Sequence, residues 1–278
     1  MTSGRPIGRS FRTSDGLRLS YVTDDYTDPW QSNDTLVLLH AAQGCARRFY
    51  AWVPHLARQF RVVRLDLRGH GESEVPGPNS TLDVDRLVAD VIELIDHLGS
   101  ERVHLAGSSA GAMIAMRASM NHPHRVQSLA SFAATAGMRD TAFDFEAWAA
   151  AIKAKGMRKF LSDSIWHRFD VDHTDPGLVE WWLDLAASSN ADLDYAARFV
   201  SVMVNLDLRD GLERIACPTL SVVPGSDPEH SLAEYEILRE RIRNIEFVVF
   251  RGFRHNITDA VPDRCAKQLR DFLDGLRT

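Results

Sequence analysis

The chain has 278 residues, 45% hydrophobic and 25% charged, the balance of an ordinary folded protein with one large core, with or without an inserted subdomain. Its 32 Lys and Arg against 38 Asp and Glu give a formal net charge of -6 with no basic run, so nucleic acid is not an expected partner. Cys45, Cys217 and Cys265 are odd in number and far apart, which excludes a zinc spacing and a disulfide framework and points to buried free thiols in the cytoplasm. The first residues, MTSGRPIGRSFRTSDGLRLSYV, carry charge but no apolar stretch, so neither a secretory signal nor a membrane span is expected.

Strand and helix signals then alternate. RSFRTS and LRLSYVT flank Asp15-Gly16 and predict a hairpin. TLVLLH (35–40), RVVRLD (61–66), RVHLAG (102–107), VQSLASFA (126–133), PTLSVV (218–223) and NIEFVVF (244–250) read as strands. Between them, residues 81–98 place Val84, Leu87, Val88, Val91, Ile95 and Leu98 at spacings of three and four, and Gly99 follows as a stop. Residues 110–121, 232–243 and 257–275 read as helices in the same way. This alternation predicts a mostly parallel, eight-stranded sheet flanked by helices. Residues 138–213 break it, being helix-like, rich in Ala and Trp and without a strand. They are expected to form a helical lid inserted before the last two strands, with 1–137 and 214–278 forming the core domain.

The chemistry concentrates where a strand ends at Gly107-Ser108-Ser109-Ala110-Gly111 and a small-residue helix begins. In a turn that sharp, the residues two before and two after the central serine meet, and Gly107 and Gly111 supply the needed absence of side chains. Ser109 is then strained and exposed at the sheet edge, beside a helix N-terminus that favours negative charge. Ser108 is read as a capping residue without a chemical role. A serine hydroxyl needs a base, and His255 stands in the loop between the last strand and last helix. The base needs an orienting carboxylate, and Asp227 follows the preceding strand in SVVPGSDPEHS. The strand after the serine (SLASFAATAGM, 128–138) offers no carboxylate. Glu229, beyond Pro228, is expected to point away from the turn that presents Asp227. Backbone N–H groups of Ala110 and Ala42 are the expected oxyanion donors.

These segments resemble the α/β-hydrolase superfamily over nearly the whole chain. LLHAAQG is similar to its oxyanion strand, DLRGHGES (66–73) to its D-x-R-G-x-G-x-S loop, and the segments around Asp227 and His255 to its acid and base regions, in the chain order Ser, Asp, His. Ala41 stands where members usually carry Gly, and Ser108 where His, Asn or Leu is frequent. The lid and its exit, AWAAAIKAKGMRKF and SVMVNLDLRDGLERIACPTL, resemble those of 3-oxoadipate enol-lactonases and related small ester or lactone hydrolases.

The resemblance implies a cofactor-free, metal-free serine hydrolase that acts on a small-molecule ester, lactone or enol-lactone through an acyl-enzyme on Ser109. Three other readings stay open: carbon–carbon hydrolysis of a dienoic diketone, cofactor-free dioxygenase or perhydrolase chemistry, and a hydrolase-like small-molecule receptor. Dehalogenation is disfavoured, since it needs Asp where Ser109 sits. Trp166, Arg168 and Trp181 are the candidate substrate contacts, with Arg47 and Arg48 near the oxyanion segment as weaker ones. A homodimer is left open.

Overall fold

The computed structural model describes residues 8–137, 145–190 and 192–277. The strands are β1 (Arg9–Arg12), β2 (Arg18–Asp24), β3 (Thr35–Leu39), β4 (Arg61–Leu65), β5 (Val103–Ser108), β6 (Val126–Phe132), β7 (Thr219–Pro224) and β8 (Ile245–Phe250). They form one sheet in the order β1-β2-β4-β3-β5-β6-β7-β8. β2 runs antiparallel to both neighbours, and β3 to β8 are mutually parallel. The helices are α1 (Val53–Leu56), α2 (Val84–His97), α3 (Ala110–Asn121), α4 (Phe145–Lys155), α5 (Met157–Asp163), α6 (Pro176–Ser189), α7 (Leu193–Val204), α8 (Leu232–Arg241), α9 (Ile257–Ala260) and α10 (Pro262–Gly275). None of those described is long and apolar enough to cross a membrane.

The unbroken apolar strands follow from burial on both faces. In β3, Val37 and Leu39 join a core with α2 and α3, while Leu36 and Leu38 join the opposite core with α10 and Trp52. Asp83 caps α2, its carboxylate accepting from Arg86 N at 2.7 Å. The single helix expected over 257–275 is divided. Pro262 has no N–H to continue α9, and Val261 before it leaves the helical region at φ -136° and ψ 59°.

Helices α4 to α7 lie between β6 and β7 and share an apolar cluster that includes Phe160, Phe169 and Trp182. The expected start of the lid at residue 138 lies outside the described residues. At the other end α7 belongs to both units, because Tyr195, Phe199 and Met203 pack into the core of the sheet. Tyr195 also donates from its hydroxyl to Arg68 O at 2.8 Å. Arg68 is fully buried. Its Nε and Nη2 each donate to Asp90 at 2.6 Å, and Nη1 donates to Asp15 at 3.1 Å. The DLRGHGES loop is thereby fastened to the first hairpin, α2 and α7 at once.

One close approach sets the geometry of the sheet edge. α3 passes so near the end of β3 that a Cβ on Gly111 would lie 2.6 Å from His40 O, and one on Gly107 would lie 2.5 Å from Ala112 N. Both neighbours are backbone, so neither can move aside cheaply. Gly111→Ala is therefore expected to cost about 3 kcal/mol or more. The measurement is the urea midpoint at constant m. Gly275→Ala, whose methyl meets nothing within 4 Å, serves as the control and should leave the midpoint unchanged or slightly raised.

Candidate active site

β5 ends at Ser108, and the chain turns into α3 through Ser109 at φ 49° and ψ -117°. That backbone region is unfavourable for a residue with a side chain, and it is held by Ser109 N donating to Phe132 O at 2.8 Å. The strain directs Oγ out of the sheet edge toward His255, whose Nε2 lies 3.1 Å away. The other ring nitrogen, Nδ1, is 2.8 Å from Asp227 Oδ2. The Asp227 side chain is fully buried; it accepts from Glu229 N at 2.8 Å on Oδ1 and from the Tyr235 hydroxyl on Oδ2. Ser109, Asp227 and His255, which are 146 and 28 residues apart along the chain, thus form one hydrogen-bonded line.

Electrostatics reinforces the line. Burial disfavours a charged His255, but Asp227 and then Glu229 favour it more, and the imidazole is raised to about 9. Burial likewise opposes ionisation of Asp227, yet His255 and the Tyr235 hydroxyl bring it down to about 2. The carboxylate therefore stays ionised while the imidazole exchanges its proton.

Ala42 and Ala110 border the cavity beside Ser109. Among the described residues neither of their backbone N–H groups has a hydrogen-bond partner. The loop carrying Ala42 is pinned by two buried histidines. Leu67 N donates to His40 Nε2 at 3.0 Å, so Nδ1–H of that ring donates to Ala41 O at 2.8 Å. His70 Nε2 lies 2.8 Å from Ala42 O. Burial and the neighbouring His70 keep His40 well below the usual histidine range, hence neutral.

The cavity has a volume of about 180 Å³. Met113, Trp148, Phe160, Val200, Met203 and Val204 make its apolar wall, and Arg48, Ser164, His167, Arg168, Glu229 and Asn256 its polar one. Arg168 borders the cavity, with Nη1 donating to Ser164 O and Oγ, both at 3.2 Å. Burial lowers the affinity of its guanidinium for the proton. Trp166 and Trp181 do not line the cavity. Trp166, in the 3-10 turn Ile165–His167, is half exposed with its ring tilted 58° to that of His167; Trp181 packs edge-on against Tyr50 at 5.2 Å. Its neighbour Trp182 takes the buried position, as adjacent residues on one helix must diverge. Arg47 is exposed, whereas Arg48 is buried and makes a bidentate pair with Asp259. A larger open depression of about 440 Å³ lies among Lys155, Arg158 and Lys159, away from Ser109.

Glu229 does not point away from the site as its place beyond Pro228 suggested. Its side chain faces the cavity, with Oε2 3.9 Å from His255 Nε2 and Oε1 3.8 Å from both Arg168 Nη2 and His167 Nδ1. The signal was the Asp-Pro-Glu turn, in which Glu229 N bonds back to Asp227 and reverses the side chain. Glu229, His230 and His255 form a group whose ligand atoms lie within 4.8 Å of one another and could hold a metal. His255 would bind through Nε2, since Nδ1 faces Asp227, so a metal there would occupy the atom that faces Ser109.

A strained serine at a strand–helix turn, bonded to a histidine from the last loop, is the signature geometry of one fold family, and residues 34–258 match the alpha/beta hydrolase fold. The chain belongs to that family. It is similar to 3-oxoadipate enol-lactonase 1 of Acinetobacter baylyi, 29% identical over 203 residues, which covers 71% of this chain and 74% of that one. It is equally similar to a fluoroacetate dehalogenase of Burkholderia, 29% identical over 89% of each chain. Among solved structures, the enol-lactonase of Burkholderia xenovorans superposes with a TM-score of 0.86 at 23% identity, over 96% of this hydrolase-fold chain and 100% of the other.

Ser109→Ala should keep the urea midpoint of the parent and lose hydrolysis by roughly 10⁴-fold or more. Ser108 Oγ instead bonds Thr258 Oγ1 at 3.1 Å, beneath the site. Ser108→Ala should cost only about 1 kcal/mol of stability and leave most of the turnover. The reverse outcome in a paired kinetic assay would put the nucleophile at Ser108.

Proposed function

We propose that this protein is a serine hydrolase of small carboxylic esters or lactones, with Ser109 as nucleophile, His255 as base and Asp227 as the orienting acid. The observation that carries the reading is the Ser109 Oγ to His255 Nε2 contact at 3.1 Å, continued from Nδ1 to a buried carboxylate at 2.8 Å. Nε2 takes the serine proton as Oγ adds to the substrate carbonyl, and the same proton is returned to the departing alkoxide. Asp227 keeps Nδ1 protonated throughout and stabilises the imidazolium. The N–H groups of Ala42 and Ala110 bind the oxyanion. Helices α4 to α7 act as the lid. Their apolar side chains, Trp148, Phe160, Val200 and Met203, exclude water from the acyl group, and Arg168 takes a polar or anionic end of the substrate.

The relatives act on different bonds, and the nucleophile distinguishes them for this chain. Displacing halide from a saturated carbon with Ser109 would leave an ether. Such a product has no carbonyl for water to attack, so the site would stop after one event. An ester or lactone leaves an acyl-enzyme that water can open. Sustained release of p-nitrophenol from short acyl esters, beyond one equivalent per chain, is the direct test. A single equivalent followed by silence would favour a receptor.

Only neutral His255 can accept the proton, and its affinity for the proton is raised to about 9. The sign follows: kcat/KM should be low at neutral pH and climb as pH rises toward about 9, where the imidazole deprotonates. A profile already flat from pH 6 upward would contradict this. Asp227→Asn should fold and lose on the order of 10⁴-fold in turnover, because the amide favours the wrong imidazole tautomer. Partial recovery at high pH would separate that cause from loss of structure.

A further inference from the structure

His255 has a carboxylate on each side. Asp227 occupies the Nδ1 side with a direct hydrogen bond, and Glu229 stands off the Nε2 side at 3.9 Å. The same turn delivers both, since Glu229 N donates to Asp227 Oδ1 and folds the chain back toward Ser109. Among the described residues no polar atom lies within hydrogen-bond distance of the Glu229 carboxylate oxygens. Oε1 lies 3.8 Å from Arg168 Nη2 and from His167 Nδ1, and all three separations exceed a hydrogen bond. The Arg168 guanidinium holds Glu229 in the cavity at a distance that leaves its lone pairs free for water, while burial lowers His167 and favours its neutral ring. A separation of 3.9 Å between two polar atoms is one that a single water spans with a hydrogen bond to each.

We propose that Glu229 is a positioning residue for the second half of the reaction, holding the hydrolytic water between its carboxylate and His255 Nε2. The proposal rests on the serine-hydrolase reading. Once the alcohol has left, Nε2 is neutral and faces the ester carbonyl on Ser109. The water oxygen bonds to the acyl carbon, one of its protons passes to Nε2, and its other hydrogen stays on that oxygen, donated in a hydrogen bond to Glu229 Oε2. The intermediate then breaks the carbon–Oγ bond, and Nε2 returns its proton to Oγ as the carboxylic acid departs. Glu229 neither gains nor loses a proton. Acylation uses no water, so that step does not need it.

The surroundings of the imidazole single out this residue. Facing His255 are Asp227 and Glu229 from the loop after β7, His230 beside them with its ring 5.9 Å away, and Arg168 and His167 from the segment between α5 and α6. Asp227 is occupied on the far nitrogen, and Arg168 and His167 are cationic or donor groups. Burial, and then the neighbouring His255, lower His230 and keep it neutral. Glu229 is the anionic acceptor on the reacting side among the described residues. Its charge also favours the imidazolium, so removing the charge should ease deprotonation of His255.

The experiment acylates the full chain with p-nitrophenyl acetate, removes excess ester and follows loss of the Ser109 adduct by intact mass across pH. Glu229→Leu removes the acceptor, whereas Glu229→Gln keeps an oxygen but loses the charge. Read on the high-pH plateau, where His255 is neutral in both chains, the expected result for Glu229→Leu is a first-turnover release within about two-fold of the parent and an adduct that decays at least about ten-fold more slowly. Glu229→Gln should recover most of the decay rate, and the midpoint of its decay–pH curve should move to lower pH. Equal slowing of acylation and decay in Glu229→Leu, or unchanged decay, overturns the proposal. If the unsubstituted chain neither forms an adduct on Ser109 nor releases p-nitrophenol, the hydrolase reading itself fails and the proposal falls with it.

Discussion

Everything at the candidate site depends on how closely α3 can approach the end of β3. Two adjacent parallel strands and a helix meet where Gly107 and Gly111 carry no side chains, and the backbone contact fixes two things together. It forces Ser109 into its strained turn, and it brings the Ala41-Ala42 loop alongside the N-terminus of α3. The serine hydroxyl and both unpartnered N–H groups therefore share one origin.

Around that contact the chain builds a polar frame inside an apolar core, in which Arg48, Arg64 and Arg68 are each paired with a buried carboxylate. Arg48 and Asp259 join the 3-10 turn Ala46–Trp52 to α9, and Arg64 with Asp24 joins β4 to β2. Asp66 accepts from Ala46 N at 2.7 Å and Glu72 N at 3.1 Å; burial still pushes its carboxyl up to about 6. Breaking one partner of such a pair strands the other without water, which costs more than the pair gains. The frame is thus better described as a source of uniqueness than of net stability. It admits one arrangement of the loops that carry Ala42, Asp227 and His255.

Much of this was legible in the sequence, for reasons that particular residues make plain. The strands stand out because burial on both faces demands runs such as Thr35–Leu39, and the turn at Ser109 stands out because only glycine tolerates the approach. Order along the chain linked Ser109, Asp227 and His255, and the structure brings them within hydrogen-bond distance. Residues whose orientation depends on tertiary contacts were not legible. The pattern over 257–275 hid the break at Pro262, since apolar spacing continues across it. Trp166 and Trp181 were natural candidates by composition, but a short 3-10 turn and the face of α6 decide which indole is buried, and that is Trp182. Glu229 was read by its distance from a proline, whereas the hydrogen bond to Asp227 Oδ1 decides where it points.

The short helix α9 couples the site to the end of the chain. Thr258 accepts from Trp52 Nε1 at 3.2 Å through its carbonyl and meets Ser108 through its hydroxyl, while Asp259 holds Arg48 across 211 residues. These are among the longest loops the chain closes, and loop closure of this kind comes late when a chain folds. A polypeptide emerging from the ribosome therefore carries its serine turn and the helices α4 to α7 before it owns a base. The window between a nearly assembled fold and a working one spans the synthesis of the last strand and the loop behind it. During refolding, recovery of turnover should accordingly trail the burial of Trp52, with α9 as the final piece to seat.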